Sequence, residues 1–157
     1  MPRKKRIFKK KEIQPDELYN STLISKFINI LMKDGKKSLA EKILYKSFEL
    51  IKKESNENPL DVFRRAIENV KPLIEVKSRR VGGANYQIPV EIPLERRLIL
   101  SFRWIVEFSR KRKGSNMIKS LYEEILEASK NKGSSVKKKE NIHKMAEANK
   151  VFSHYKW

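Results

Sequence analysis

The sequence contains no cysteine, and this one absence removes disulfides, thiol catalysis and cysteine-ligated zinc or iron–sulfur centres together. Long apolar runs are missing too: nothing approaches the ~20 apolar residues that a membrane-spanning helix needs. The basic start is no signal peptide, because Ile7-Phe8 runs straight into Lys9-Lys10-Lys11 and leaves no apolar segment. Histidine is nearly absent. The two present, His143 and His154, have no metal-ligand spacing and read as ordinary surface residues. Negative charge is scarce, with 19 Asp+Glu against 37 Lys+Arg and a formal net charge of +18. Such an excess repels itself in a compact fold and is tolerated when a polyanion supplies the counter-charge. Nucleic acid is the first candidate. An anionic membrane surface is second, disfavoured by the lack of apolar runs, and no membrane partner is expected.

What is present fits one modest domain. At 157 residues, with 39% hydrophobic content, the chain can build a real core but not a large one. Residues Met1 to Lys11 form a basic arm that cannot bury enough surface to offset its ordering entropy. From Asn20 the pattern turns helical. Leu23, Ile24, Phe27, Ile28 and Leu31 share one face, with Asn20 or Ser21 as N-cap and Asp34-Gly35 as the stop. A second helix buries Leu39, Ile43, Leu44, Phe48 and Ile51. A third opens at Pro59 behind the cap Asn58, carries Leu60, Phe63, Ile67 and Val70, and stops before Pro72.

Between Leu73 and Ile92 the period changes to alternation. Tyr86, Ile88, Val90 and Ile92 point one way, Gln87 and Glu91 the other, and Gly82-Gly83 supplies a tight turn. Pro89 removes one ladder bond, so free edges are expected there. A fourth helix opens at Pro93-Leu94-Glu95 with Leu98, Ile99, Phe102, Ile105 and Val106 inward, widened by Trp104 and Phe108. Ser115 caps a fifth using Ile118, Leu121, Tyr122, Ile125 and Leu126. The sixth has a weak apolar face of Val136, Ile142, Met145, Ala146 and Ala148, and an aromatic, basic tail follows. The expected architecture is mainly α: a bundle of six helices with one protruding β-hairpin and a basic N-terminal arm. Residues 1–19 are read as a basic extension and 20–157 as a single helical domain, with the hairpin at about 73–92.

Catalysis finds no support. A phosphate-binding loop needs an upstream glycine and a Ser or Thr after Gly-Lys, but Ile30 and Lys37 stand at those places around Gly35-Lys36. Most acidic residues lie within a helical turn of a cation, as Glu41 does with Lys37, and read as solvated faces. No cofactor is implied. The cations instead gather where helix ends expose them. Lys36 and Lys37 open the second helix, beside backbone N–H groups able to face a phosphate. Arg96 and Arg97 lie on the first turn of the fourth, Arg110, Lys111, Arg112 and Lys113 follow its last turn, and Lys137, Lys138 and Lys139 begin the sixth. Contacts of this kind give affinity and registration rather than sequence readout. At the hairpin tip, Gly82-Gly83 permits close backbone approach, while Arg79, Arg80 and Tyr86 can stack on unpaired bases or meet phosphates.

Several motifs, in order, resemble one family: Asp34-Gly35-Lys36-Lys37, Lys77-Ser78-Arg79-Arg80-Val81-Gly82-Gly83-Ala84, Glu95-Arg96-Arg97, Arg103-Trp104 and Lys137-Lys138-Lys139. Met145-Ala146-Glu147-Ala148-Asn149-Lys150 and the terminal His154-Tyr155-Lys156-Trp157 complete the set. Together they resemble the bacterial and organellar type of the small-ribosomal-subunit protein seven family over essentially the whole chain. The resemblance implies a structural constituent of the small subunit that binds its ribosomal RNA early and nucleates assembly of the head, the 3′ major domain. It also implies a hairpin and tail at the tRNA exit site, near the messenger RNA path and neighbouring head and platform proteins. The location implied is the cytoplasmic ribosome, or that of an organelle matrix.

On that basis the ribosomal-RNA candidates are Arg3, Lys4, Lys5, Arg6, Lys9, Lys10, Lys36, Lys37, Arg96, Arg97, Arg110, Lys111, Arg112, Lys113, Ser115, Asn116, Met117, Lys137, Lys138 and Lys139. Met117 fits the core equally well on sequence grounds. Candidates for the tRNA side are Arg79, Arg80, Gly82, Gly83, Tyr86, His154, Tyr155 and Trp157. A helical DNA regulator is the competing binding function, and it would need a recognition helix with base-reading side chains. The helix after Asp34-Gly35 carries lysines suited to phosphates instead. An RNA-modifying enzyme, the third reading, would need a cofactor or metal site.

Overall fold

The structure, a computed structural model, describes residues 13–155. Its helices are α1 (Thr22–Leu31), α2 (Lys37–Ser55), α3 (Pro59–Val70), α4 (Leu94–Lys111), α5 (Met117–Ser129) and α6 (Ser134–Ala148). A hairpin of β1 (Ile74–Val81) and β2 (Ala84–Glu91) comes between α3 and α4, and a 3-10 helix, Lys150–Tyr155, follows α6. This is the helical bundle with one hairpin expected from the periodicity. The basic arm lies outside the described residues.

The core grows from one phenylalanine on each of the first four helices. Phe27 meets Phe63 edge-on at 5.0 Å and Phe102 at 5.3 Å, while Phe48 lies 5.4 Å from Phe63. All four are fully buried, and each such pair adds ~0.5–1.5 kcal/mol beyond its buried area. Ile105, Leu121, Ile125 and Ala128 extend this core to α5. The segment before α1 belongs to the body as well. Asp16 accepts hydrogen bonds from the Tyr45 hydroxyl at 2.7 Å and the Tyr19 amide at 3.2 Å, and the Tyr19 ring packs edge-on against Phe48. Burial, with Asp16 beside it, pushes the Tyr45 phenol far above its ordinary pKa. The boundary expected at residue 19 thus falls among residues that α2 already holds.

Four inward assignments from the periodicity are corrected, one of them Ala148, which is exposed at the end of α6. Leu39, Ile99 and Met145 are 52%, 41% and 54% exposed. In α2 and α4 smaller neighbours take the core-facing positions: Ala40 and Ser47 in α2, and Ser101 and Ser109 in α4 are buried. Close helix approach favours these small residues over the adjoining large ones. The cap of α5 is Asn116 rather than Ser115, its side chain accepting from the Lys119 amide at 2.9 Å. Asn58 caps α3 as expected.

The hairpin is a two-stranded antiparallel sheet with Val81 opposite Ala84 and Ile74 opposite Glu91. Gly82 and Gly83 have φ of 57° and 91°, the left-handed pair that matches a two-residue turn to strand twist. Its root is fixed. Ile88 and Ile92 are buried, and the Leu73 amide donates to His143 Nε2 at 3.1 Å. Burial, and then the nearby Lys139 charge, lower the His143 pKa and favour the neutral ring that accepts this bond. Helix α6 is lightly anchored, burying only Ser135, Val136 and Ala146.

Candidate nucleic-acid interface

The helix-end cations divide into those used within the fold and those displayed by it. Lys36 precedes α2 and is exposed; Lys37 is exposed and pairs loosely with Glu41 at 3.5 Å. Arg110 is exposed at the end of α4 and donates to the carbonyl of Leu31, the last residue of α1, at 2.9 Å. That bond ties the end of α1 to the end of α4. Lys33, Lys36, Arg110, Leu39 and Met117 line one cleft of about 240 Å³. Candidates far apart in sequence therefore meet around a shared hollow. Met117 also packs against the core, as its apolar side chain allows.

A second cleft, about 550 Å³, runs along α1 and α4 and is lined by Asn29, Arg103, Glu107, Arg110 and Lys111. Lys111 pairs with Glu107 and lies 5.3 Å from the centre of the Phe108 ring. Arg103 and Lys33 were not among the sequence candidates. The Arg103-Trp104 motif held the only signal, with Trp104 buried and its neighbour exposed.

Other candidates have partners within the fold. Arg112 forms hydrogen bonds with Glu123, Glu124 and Glu127 on α5. Burial works against its charge, but these carboxylates outweigh it and raise its pKa further. A guanidinium bound three ways is committed to the fold. Arg96 grips Glu75 at the hairpin root through bonds of 2.9–3.2 Å, with Lys77 adding a contact of 3.4 Å. Burial raises the Glu75 pKa, yet Arg96 and Lys77 reverse this and leave it lowered. Arg97 donates to the Ile92 carbonyl at 2.6 Å, and Lys139 to the Asn69 carbonyl. Ser115 is hydrogen-bonded to Ser120 at 2.7 Å, and Asn116 is the α5 cap. Lys113, Lys137 and Lys138 are exposed.

The hairpin and the chain end come together. Tyr86 lies 5.2 Å from Phe152 and 5.3 Å from Tyr155, and Arg79 donates to the Tyr155 carbonyl at 2.6 Å. The His154 and Tyr155 rings are 4.1 Å apart. Arg80, Gly82, Gly83 and His154 are exposed. Arg79 and Tyr86, half-exposed on the hairpin, thus both engage the tail. Arg3, Lys4, Lys5, Arg6, Lys9, Lys10 and Trp157 lie outside the described residues. Among the described residues no helix is long and apolar enough to cross a membrane.

A family model described as Ribosomal protein S7p/S5e matches residues 2–150, nearly the whole chain. The chain belongs to this family. Among S7p/S5e relatives it is 54% identical to the small ribosomal subunit protein uS7 of Thermoanaerobacter pseudethanolicus over 157 residues, all of both chains. It is 52% identical to the uS7 of Desulfatibacillum aliphaticivorans over the same full lengths. To that of Thermodesulfovibrio yellowstonii it is 54% identical over 148 residues, covering 94% of this chain and 95% of the relative. The S7p/S5e family is one of ribosomal structural proteins and is not enzymatic, in line with the lack of a catalytic pair in the sequence.

Proposed function

We propose that this protein is a constituent of the small ribosomal subunit, bound early to its ribosomal RNA, that nucleates folding of the head and meets tRNA at the exit site. One observation carries the reading: full-length identity to small-subunit relatives coincides with a cleft where Lys33, Lys36 and Arg110 gather from separate helix ends. Lys36, Lys37, Arg110, Lys111, Lys113, Lys137 and Lys138 bind phosphates of the 3′ major domain, together with the basic N-terminal arm. Arg112, Arg96, Arg97 and Lys139 support the interface by holding the helices that present it. The hairpin and tail face the tRNA side, beside the messenger path and neighbouring head and platform proteins. The working location is the cytoplasmic ribosome.

The experiment is a filter-binding titration with 3′ major domain RNA over a range of salt. If about ten phosphates are neutralised, log affinity falls with log salt at a slope of magnitude ~7–9. A slope near zero would overturn the mechanism. Equal affinity for duplex DNA of the same length would favour the DNA-regulator reading instead.

A further inference from the structure

Beyond Ile88 toward its tip the hairpin buries no residue fully, and a two-stranded ribbon alone is marginal in water. Burial along β2 ends at Ile88; toward the tip only Tyr86 is half-covered, while Ala84, Asn85 and Gln87 are exposed. On β1 opposite, Arg79 pairs in register with Tyr86 and is likewise half-covered. What covers this cross-strand pair is the 3-10 helix Lys150–Tyr155. Phe152 and Tyr155 bracket the Tyr86 ring, and the Arg79 guanidinium donates to the Tyr155 carbonyl at 2.6 Å. A guanidinium is well suited to that place, since the carbonyls ending a helix lack partners of their own and carry partial negative charge. Below Ile88 the arm is held by other means: the His143 bond to Leu73, the Arg96 grip on Glu75, and Ile92 in the core.

We infer that the C-terminal segment is a strap that fixes the direction of the hairpin, with Arg79 and Tyr86 as its anchors on the arm and Phe152 and Tyr155 as its hold. The two residues are positioning residues: they aim the tip and leave Arg80, Asn85 and His154 among the exposed polar groups beside it. This role stands whatever nucleic acid the arm meets. Loss of the strap frees the arm above Ile88 and leaves the bundle unchanged.

The absence of cysteine makes the test direct. Asn85→Cys and Lys130→Cys, both at exposed positions, place spin labels on the tip and on the body of the full chain. Electron–electron resonance then reads the distance distribution. The parent is expected to give one narrow distance. Phe152→Ala with Tyr155→Ala should lose that narrow peak while helical circular dichroism is retained. Arg79→Gln should broaden it in the same sense. A narrow peak that survives the double substitution overturns the inference, as does a parent distribution that is already broad. If the double variant loses helical structure, Arg79→Gln decides alone, and an unchanged distribution then overturns the strap.

Discussion

Arg112 Nη2 lies 2.7 Å from Oε2 of Glu124, whose side chain is entirely buried. The other carboxylate oxygen accepts from the Ser135 amide at 2.9 Å, on the first turn of α6. One buried carboxylate therefore joins the end of α4 to α5 and to the start of α6. Removing the cation strands a desolvated charge, which typically costs ~3–5 kcal/mol. Arg112→Ala is expected to lower unfolding free energy by about 3 kcal/mol in urea, since the guanidinium keeps some solvent contact. Lys113→Ala, exposed beside it, should stay within ~0.5 kcal/mol of the parent. Equal effects of the two substitutions would refute the structural role of Arg112.

The same junction makes Gly133 sensitive. It has φ of 91°, and a Cβ there would come within 3.0 Å of Glu127 Oε2 and 3.4 Å of Glu124 Oε1. Gly133→Ala therefore combines backbone strain with crowding of the carboxylates that hold Arg112. A loss of about 1–3 kcal/mol is expected in thermal or urea unfolding. Parent-like stability would show that the α5–α6 loop relaxes without disturbing the Arg112 site.

Lys36 is a different kind of residue, displayed rather than used. Lys36→Gln should leave stability unchanged and reduce the salt slope of RNA binding by ~1. Arg112→Ala should leave that slope intact when measured under conditions where it is folded. An unchanged slope in Lys36→Gln would remove this lysine from the phosphate contacts.

The contrast shows what was legible in the sequence. Apolar periodicity placed Phe27, Phe48, Phe63 and Phe102 in the core, because each sits mid-stripe on its helix. It could not choose between neighbours at a stripe's edge, where Ala40 goes inward and Leu39 outward. Arg112 looked like its three cationic neighbours, since its carboxylate partners come from the next helix and a run of charge carries no mark of pairing across a loop. Tyr86 was read correctly as half of an alternating strand. Its ring partners come from the other end of the chain, which periodicity cannot connect. Sequence thus located the cationic clusters but not the division between displayed and committed members.

His143 should give the fold a pH dependence of definite sign. Its neutral Nε2 accepts from the Leu73 amide, and burial and then Lys139 lower its pKa from the ordinary 6.5. Below that ordinary value the unfolded chain binds the proton more readily than the folded one, so stability falls as pH drops through the window. The contribution is fully present above pH ~6.5 and is lost as pH falls through the lowered folded value. The measurement is the difference in melting temperature between pH 7.5 and 5.5. His143→Gln, which retains an acceptor but cannot titrate, should show a smaller decrease than the parent. An equal decrease would mean that other groups carry the acid sensitivity.

The hairpin should be separable from the body. Its root is secured by Ile88, Ile92, the His143 bond and Arg96–Glu75, all of which remain if residues 79 to 86 are replaced by a short Gly-Ser turn. Helical content and cooperative unfolding should persist, because the phenylalanine core makes no use of the tip. Affinity for 3′ major domain RNA should be nearly unchanged as well, since the displayed cations on α2, α4 and α6 remain. What should change is the tail. Without Tyr86 and Arg79, the rings of Phe152 and Tyr155 lose their cover, and amide exchange across Lys150–Tyr155 should accelerate. Contact with tRNA, read by crosslinking to assembled subunits, should fall while RNA binding holds. Loss of cooperative folding in this variant would place the arm within the core and overturn the separation of affinity from tRNA contact.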